Sequence, residues 1–373
     1  MDLSFLTAVA LMVSMIAGAS ILGFPYVFAQ TGFLTGVVTL ILVGIATTFM
    51  TLYVAEMDLN DDKVHHISGF AKKYFGKRGK YFTLLVETFG IYTAIIAYIT
   101  AIGLALSNMF GLEPLLMGSV FFVFAAFLIF FGFRRFCRLD FSIAIIKIFI
   151  LLFFIGVFFA NVETANVADF QLSKIFAPFG IVLFACLGYN VIPEMKKTLK
   201  NKKQLMPAII AAMIVVFTIY ILFSYVFLGT FGTTIGEVAI VGLPNYTLLG
   251  NIFVILAMTI PFIALADAIK HIYVEDIGID KRTSWFLSAF IPFMIYVYAN
   301  LGFVKLLQLS GTYAGGMLGL LVMFLVLKSR EKTKGKRKKC KFRVPGGNFP
   351  IYFSIAIFSI GIIYQTFLIL GLF

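Results

Sequence analysis

Gly18-Ala19-Ser20-Ile21-Leu22-Gly23-Phe24-Pro25 interrupts the first long apolar run of the chain. Its glycines and proline weaken a helix: Gly costs about 1 kcal/mol against Ala, and Pro about 3 in a helix interior. Pro25 withholds its N–H from the ladder and pushes Phe24 out of the helical region. The expected result is two half-helices meeting at an unwound link. At membrane depth such a link is tolerated only where protein buries it or a cavity runs beside it. The second half-helix then opens with free N–H groups and a positive dipole end, suited to a carboxylate. The first half ends in free carbonyls, suited to an ammonium or a metal cation. The plainer alternative is that small residues let helices pack closely. Ala17-Gly18-Ala19 also imitates a signal-peptidase site, but Met1-Asp2 offers no basic region and the apolar run continues past it.

Composition sets the environment. Of 373 residues, 61% are hydrophobic and 13% charged. Soluble domains run near ~45–50% and ~25%, so the chain reads as a polytopic membrane protein with no room for a soluble domain. Eleven apolar segments of about bilayer-spanning length run over 4–29, 32–57, 80–108, 114–133, 140–161, 172–195, 205–229, 245–271, 283–301, 304–327 and 349–372. The cysteines Cys137, Cys186 and Cys340 are scattered, and His65 and His66 share a charged loop. Neither pattern suggests a disulfide framework, a metal site or a cofactor.

Charge sets the orientation. Of the 30 basic residues, all but Lys147, Lys174 and Lys305 fall in the connections after the second, fourth, sixth, eighth and tenth segments. These connections include Lys63 to Lys80, Arg134, Arg135 and Arg138, and the run Lys328 to Arg343. The positive-inside rule makes them cytoplasmic, with the N-terminus inside and the C-terminus extracytoplasmic. The basic run fits anionic lipid headgroups better than nucleic acid, because no stacking aromatics interleave it. The connection from Gly229 to Asn245 is Gly- and Thr-rich, and its weakly apolar stretch Glu237 to Leu243 is expected to form a short helix over an outer vestibule.

The sixth segment carries a second break, Gly188-Tyr189-Asn190-Val191-Ile192-Pro193. It repeats the spacing of Ser20 to Pro25, a small residue five positions before a proline. Five intervening spans put the two halves in opposite senses. Interrupted segments at corresponding positions are the sequence pointer to a transporter's central site. The expected fold is therefore all-α, with a five-plus-five inverted repeat and broken first and sixth helices. One transporter domain fills 1–373, with repeats over 1–161 and 168–327 and an additional span over 348–373.

These residues resemble a family. Gly18 to Tyr26 followed by Gln30-Thr31-Gly32 is similar to the first-span signature of the amino acid/auxin permease family. Phe179 to Ala185, Gly188-Tyr189 and Ile192 to Met195 are similar to its sixth-span signature. Tyr189-Asn190 departs from the Gly-His pair often found there, which leaves the side-chain pocket open. The resemblance implies the fold of the amino acid–polyamine–cation superfamily and coupled amino acid import by alternating access. Together with the dipole argument, it points the substrate carboxylate to N–H groups around Ala19, Ser20 and Gly23. The ammonium meets carbonyls near Ile16 and Ala17 and those of Phe184 and Ala185. Gly188, Tyr189 and Asn190, with Cys186 and Tyr92, would shape the side-chain pocket. A small neutral amino acid is the default substrate; the apolar surroundings leave a hydrophobic or aromatic one open.

Lys147 is the most informative charge. It lies nine residues past Arg138, or roughly 13 Å along a helix. An ionisable residue at that depth reads first as functional, with backbone bonding or snorkelling as the structural alternative. In the superfamily a sodium ion often sits between the first break and the eighth span, and some proton-coupled members place a fifth-span Lys there. Lys147 resembles that Lys. Asp267 is its candidate partner or a sodium ligand, although Lys270 is near enough to pair with it. Glu87 is a candidate relay carboxyl, and Glu56 and Glu194 are candidates for salt bridges at the inner edge. An enzyme would want a catalytic cluster and ATP-driven pumping a phosphate-binding loop, and neither pattern occurs. The expected partners are an amino acid, a proton or sodium ion, and the bilayer, with no nucleic acid or obligate protein partner. A sensor on the same fold and a sodium-coupled carrier of a hydrophobic or aromatic amino acid are the alternatives.

Overall fold

The computed structural model describes residues 2–61, 66–130, 140–333 and 342–372. Lys63, His65, Arg134, Arg135, Cys137, Arg138, Cys340 and the basic run over 334–341 lie outside the described residues. Among those described, every regular element is helical. Seven stretches are long and apolar enough to cross a membrane, or eight if the bent pair at the N-terminus counts as one.

That bent pair is α1 (Leu3–Ile16) and α2 (Phe24–Thr31), with a 3₁₀ segment Ala19–Gly23 between them and a bend of 47°. Asp2 caps α1 by accepting from the Ser4 N–H at 3.3 Å. α1 stops at Ala17 and Gly18, whose backbone turns extended (Gly18 φ −106°, ψ −150°). Pro25 sits in the first turn of α2, where its missing N–H costs no bond.

α3 (Phe33–Asn60) and α4 (Ile67–Phe110) follow. Gly76 has φ 73° and divides α4, so that 67–75 leave the axis of the rest. α5 (Pro114–Phe130) and α6 (Asp140–Phe159) are short and apolar. The second break separates α7 (Phe179–Ala185) from α8 (Ile192–Thr198), with a 3₁₀ turn Tyr189–Val191 and Pro193 in the first turn of α8. α9 (Leu205–Phe231), α10 (Thr247–His271) and α11 (Lys281–Ala299) come next. α12 (Phe303–Leu309) runs through a π-helical segment Ser310–Gly315 into α13 (Gly316–Thr333), and α14 (Phe349–Ile369) ends the chain.

Exposure is inverted relative to a soluble protein. α5, α6 and α14 present Val123, Phe124, Phe127, Phe149 and Ile363 outward, a surface that only lipid would tolerate. The broken helices lie inside. Gly188 packs on α1, where an added Cβ would meet Met12 Cε at 2.8 Å. Gly180 of α7 and Gly311 of the π segment touch backbone to backbone, leaving no room for a methyl on either.

The connection after α9 departs from expectation. After a 3₁₀ turn Gly232–Thr234, the stretch Glu237 to Leu243 forms turns rather than a helix, with Gly232, Gly242 and Asn245 at positive φ (55°, 72° and 63°). Its apolar side chains Val238, Ala239 and Ile240 are buried. The Ala239 N–H donates to Leu22 O at 2.9 Å, so this segment lies directly over the 3₁₀ turn of the first break.

Candidate functional site

The two breaks meet at one end of a cavity of about 600 Å³, within the range usual for small-ligand sites. Ile16, Gly18, Ala19 and Ser20 form one wall, and Phe184, Ala185, Tyr189 and Asn190 another. Both walls are broken helices, as the Gly and Pro positions require. Lys147 of α6, only 4% exposed, lines the same space, together with Glu87 and Tyr98 of α4 and Ser310 and Ala314 of the π segment. The cavity reaches Asp58, His66, His271, Glu275 and Asp276 at the connections after α3 and α10. At the other end the segment around Ala239 lies over the first break. Glu237 holds that segment down, its Oε2 accepting from the Val304 N–H at 3.1 Å at the start of α12.

The most informative contact is one that the sequence reading missed. Tyr220, in the middle of α9 and 0% exposed, points its hydroxyl at both breaks. Tyr220 Oη lies 2.7 Å from Ile16 O and 3.0 Å from Ala185 O. These are the last residues of α1 and α7, whose carbonyls have lost their helical partners. A phenol has one proton, so it satisfies one of the two at a time or shares between them. The signal was present in the sequence: a Tyr in the middle of an apolar span must find a partner for its hydroxyl.

Other expected residues fall elsewhere. Ala17, Gly23, Gly188 and Asp267 do not line the cavity. Gly23 is wedged between α7 and α12, where an added Cβ would stand 2.7 Å from Ile181 Cδ1 and 3.2 Å from Val304 Cγ2. Asp267 pairs with His271 one turn on (Oδ2 to Nε2, 3.5 Å). Tyr92 turns to Tyr273 (2.5 Å) and to Leu287 O (3.2 Å), and Cys186 is fully buried at the second break.

The cavity's charged end is tied by ion pairs. Lys196 of α8 meets Asp58 Oδ2 at 2.9 Å and also donates to Asp58 O at 2.8 Å, which joins the second broken helix to the end of α3. Lys80 meets Asp276 Oδ1 at 2.6 Å. Glu56 holds Arg330 in a bidentate pair, Nε to Oε1 at 2.9 Å and Nη2 to Oε2 at 2.7 Å. Glu56 Oε2 also accepts from the Val344 N–H at 2.7 Å, which fastens the segment leading to α14. Glu194 is exposed and has no ion-pair partner among the described residues.

The tryptophan/tyrosine permease family matches residues 1–366, and the chain belongs to that family. No curated protein matches the chain. The protein is therefore an amino acid permease, a membrane carrier and not an enzyme. The resemblance to the amino acid/auxin permease family is corrected at the level of family while the class of activity stands. The reason is physical: the motifs at Gly18 to Tyr26 and Gly188 to Pro193 encode helix breaks, which answer to backbone chemistry and not to one family's substrate.

Proposed function

We propose that this permease is a secondary active importer of an aromatic amino acid, working by alternating access and driven by protons. The observation that carries the reading is the meeting of two distant helix breaks at one cavity, joined through the Tyr220 hydroxyl. The N–H groups of Ala19 and Ser20, at the start of the 3₁₀ turn, take the substrate carboxylate. The ammonium competes with the Tyr220 hydroxyl for Ile16 O and Ala185 O, with Phe184 O beside them. Tyr189, Asn190 and Tyr98 border the space left for an aromatic side chain. The family's description favours tryptophan or tyrosine over the small neutral default.

Lys147 is the coupling group. Its place on the cavity wall, 4% exposed, supports this role, because an ionisable side chain at membrane depth is costly and marks an ion or proton pathway. The eleven-crossing arrangement and the inverted repeat belong to the same reading, with each bent or broken pair, and the run from α12 through α13, counted as one crossing. The charge bias of the connections favours a cytoplasmic N-terminus. On that orientation the cavity opens inward, and the segment around Ala239 forms the outer closure.

The test is counterflow in proteoliposomes loaded in turn with unlabelled tryptophan, tyrosine, alanine or leucine. The expected result is uptake of labelled tryptophan or tyrosine driven only by an aromatic load. Equal exchange with alanine restores the small neutral default. Binding without exchange makes the protein a sensor.

A further inference from the structure

A cleft of about 610 Å³ lies outside the transport cavity, between α4 and α13. On α4 it is lined by Phe75, Arg78, Gly79 and Phe82, and on α13 by Leu321, Phe324, Leu327, Lys328 and Glu331. The spacings 75, 78, 79, 82 and 321, 324, 327, 328, 331 each trace a single helix face. The two faces form a groove with a consistent polarity. Arg78, Lys328 and Glu331 gather at one end, beside the Gly76 bend, while Phe82, Leu321 and Phe324 line the other.

Several observations set this groove apart from ordinary lipid-facing surface. It carries two cations against one carboxylate. Neither Arg78 nor Lys328 has an ion-pair partner among the described residues, although Lys80 and Arg330 close by are both paired. Lys328 Nζ is held 4.4 Å over the Phe75 ring, which fixes the ammonium at the groove mouth. The apolar end stays open, with Phe82 47% and Phe324 48% exposed. Gly79 lines the groove with backbone alone, and an added Cβ would stand 2.6 Å from Phe75 Cβ on the same helix.

An occupant must be anionic at one end and apolar along the next two helical turns. We infer that this groove binds one anionic phospholipid of the surrounding bilayer. Its phosphodiester lies between Arg78 and Lys328, and one acyl chain runs over Phe82, Leu321 and Phe324. Basic pockets between membrane helices on the cytoplasmic side suit such headgroups. Because the site joins the bend of α4 to the end of the α12–α13 run, the bound lipid braces two elements that also line the transport cavity.

The test uses the full chain in phosphatidylcholine liposomes, with Trp285→Phe and Phe324→Trp so that one tryptophan reports from the groove. Quenching by brominated phosphatidylglycerol is compared with quenching by brominated phosphatidylcholine. We expect phosphatidylglycerol to be preferred on the order of tenfold, as two basic side chains near an anionic headgroup provide. Arg78→Ala with Lys328→Ala should reduce the preference to near unity, while Arg78→Lys with Lys328→Arg should retain it. Equal quenching by both lipids in the parent protein overturns the inference, as does a preference that survives the double alanine change. Each preparation carries its own phosphatidylcholine reference, so a loss of folded protein does not imitate either result.

Discussion

Tyr220→Phe removes one oxygen from the centre of the molecule and little else. The ring keeps its edge contact with Phe24 (centroids 4.9 Å apart, planes at 76°). What disappears is the only proton offered to Ile16 O and Ala185 O by that side chain. Ile16 O keeps the Gly18 N–H at 2.7 Å, so the cost falls chiefly on Ala185 O; a buried acceptor left without its partner costs about 1–3 kcal/mol. On a local opening equilibrium this is roughly 5–150-fold. Because the lost bond joins the ends of α1 and α7, the loss should appear at both breaks together. The assay is amide hydrogen exchange of the reconstituted protein, followed in segments over 17–24 and 185–192, with α14 as reference. Exchange should accelerate within that range in both breaks and stay unchanged in α14, and uptake should fall. Tyr225→Phe, on the same helix but against Phe33, should leave both breaks as they are. Unchanged protection at the breaks in Tyr220→Phe, or an equal acceleration everywhere, would refute the bridging role.

Three further perturbations follow from the packing. Gly18 lines the cavity and an added Cβ there meets only its own backbone, at 3.8 Å or more, so Gly18→Leu should fold with an unfolding temperature close to the parent's yet fail to bind substrate in an equilibrium binding assay. Gly311→Ala should behave oppositely: its methyl collides with the backbone of Gly180, and overpacking of this kind costs about 1–3 kcal/mol or more, read as a lowered thermal midpoint in detergent. Glu56→Gln breaks a buried bidentate pair whose side chains are 7% and 9% exposed, and should destabilise by about 3–5 kcal/mol in denaturant unfolding, with part of the loss recovered when Arg330→Met is added.

The sequence disclosed what is encoded locally. Gly18 and Pro25, and Gly188 and Pro193, bracket the two breaks, with each proline in the first turn of the second half-helix; Phe24, expected outside the helical region, takes helical angles (φ −64°, ψ −49°) because it is itself the first residue of α2. The walls of the cavity followed, since Ala19, Ser20, Tyr189 and Asn190 are neighbours of the breaks along the chain. What depends on distant packing was not legible. Tyr220 acquires its meaning from two carbonyls far away in sequence. The π segment Ser310–Gly315 exists where Gly311 is pressed against Gly180, and neither residue announces the other. Asp267 has Lys270 three residues on and His271 four residues on, and only the structure shows it beside His271, whose other ring nitrogen meets Glu275 at 2.9 Å. The segment after α9 has enough apolar residues for a helix, but it folds into turns, with Gly232, Gly242 and Asn245 at positive φ. The two motifs identify an amino acid permease but not its family, because helix breaks are a solution common to carriers of many solutes.

We propose that a proton held at Lys147 drives an aromatic amino acid into the site between the breaks. The most direct test is accumulation of labelled tryptophan in proteoliposomes under an imposed inward proton gradient or, separately, an inward sodium gradient, with the parent protein and Lys147→Ala. Accumulation is expected under the proton gradient alone, and is expected to be lost in Lys147→Ala while tryptophan counterflow persists. Accumulation driven by sodium alone, or by protons equally well without Lys147, would contradict it.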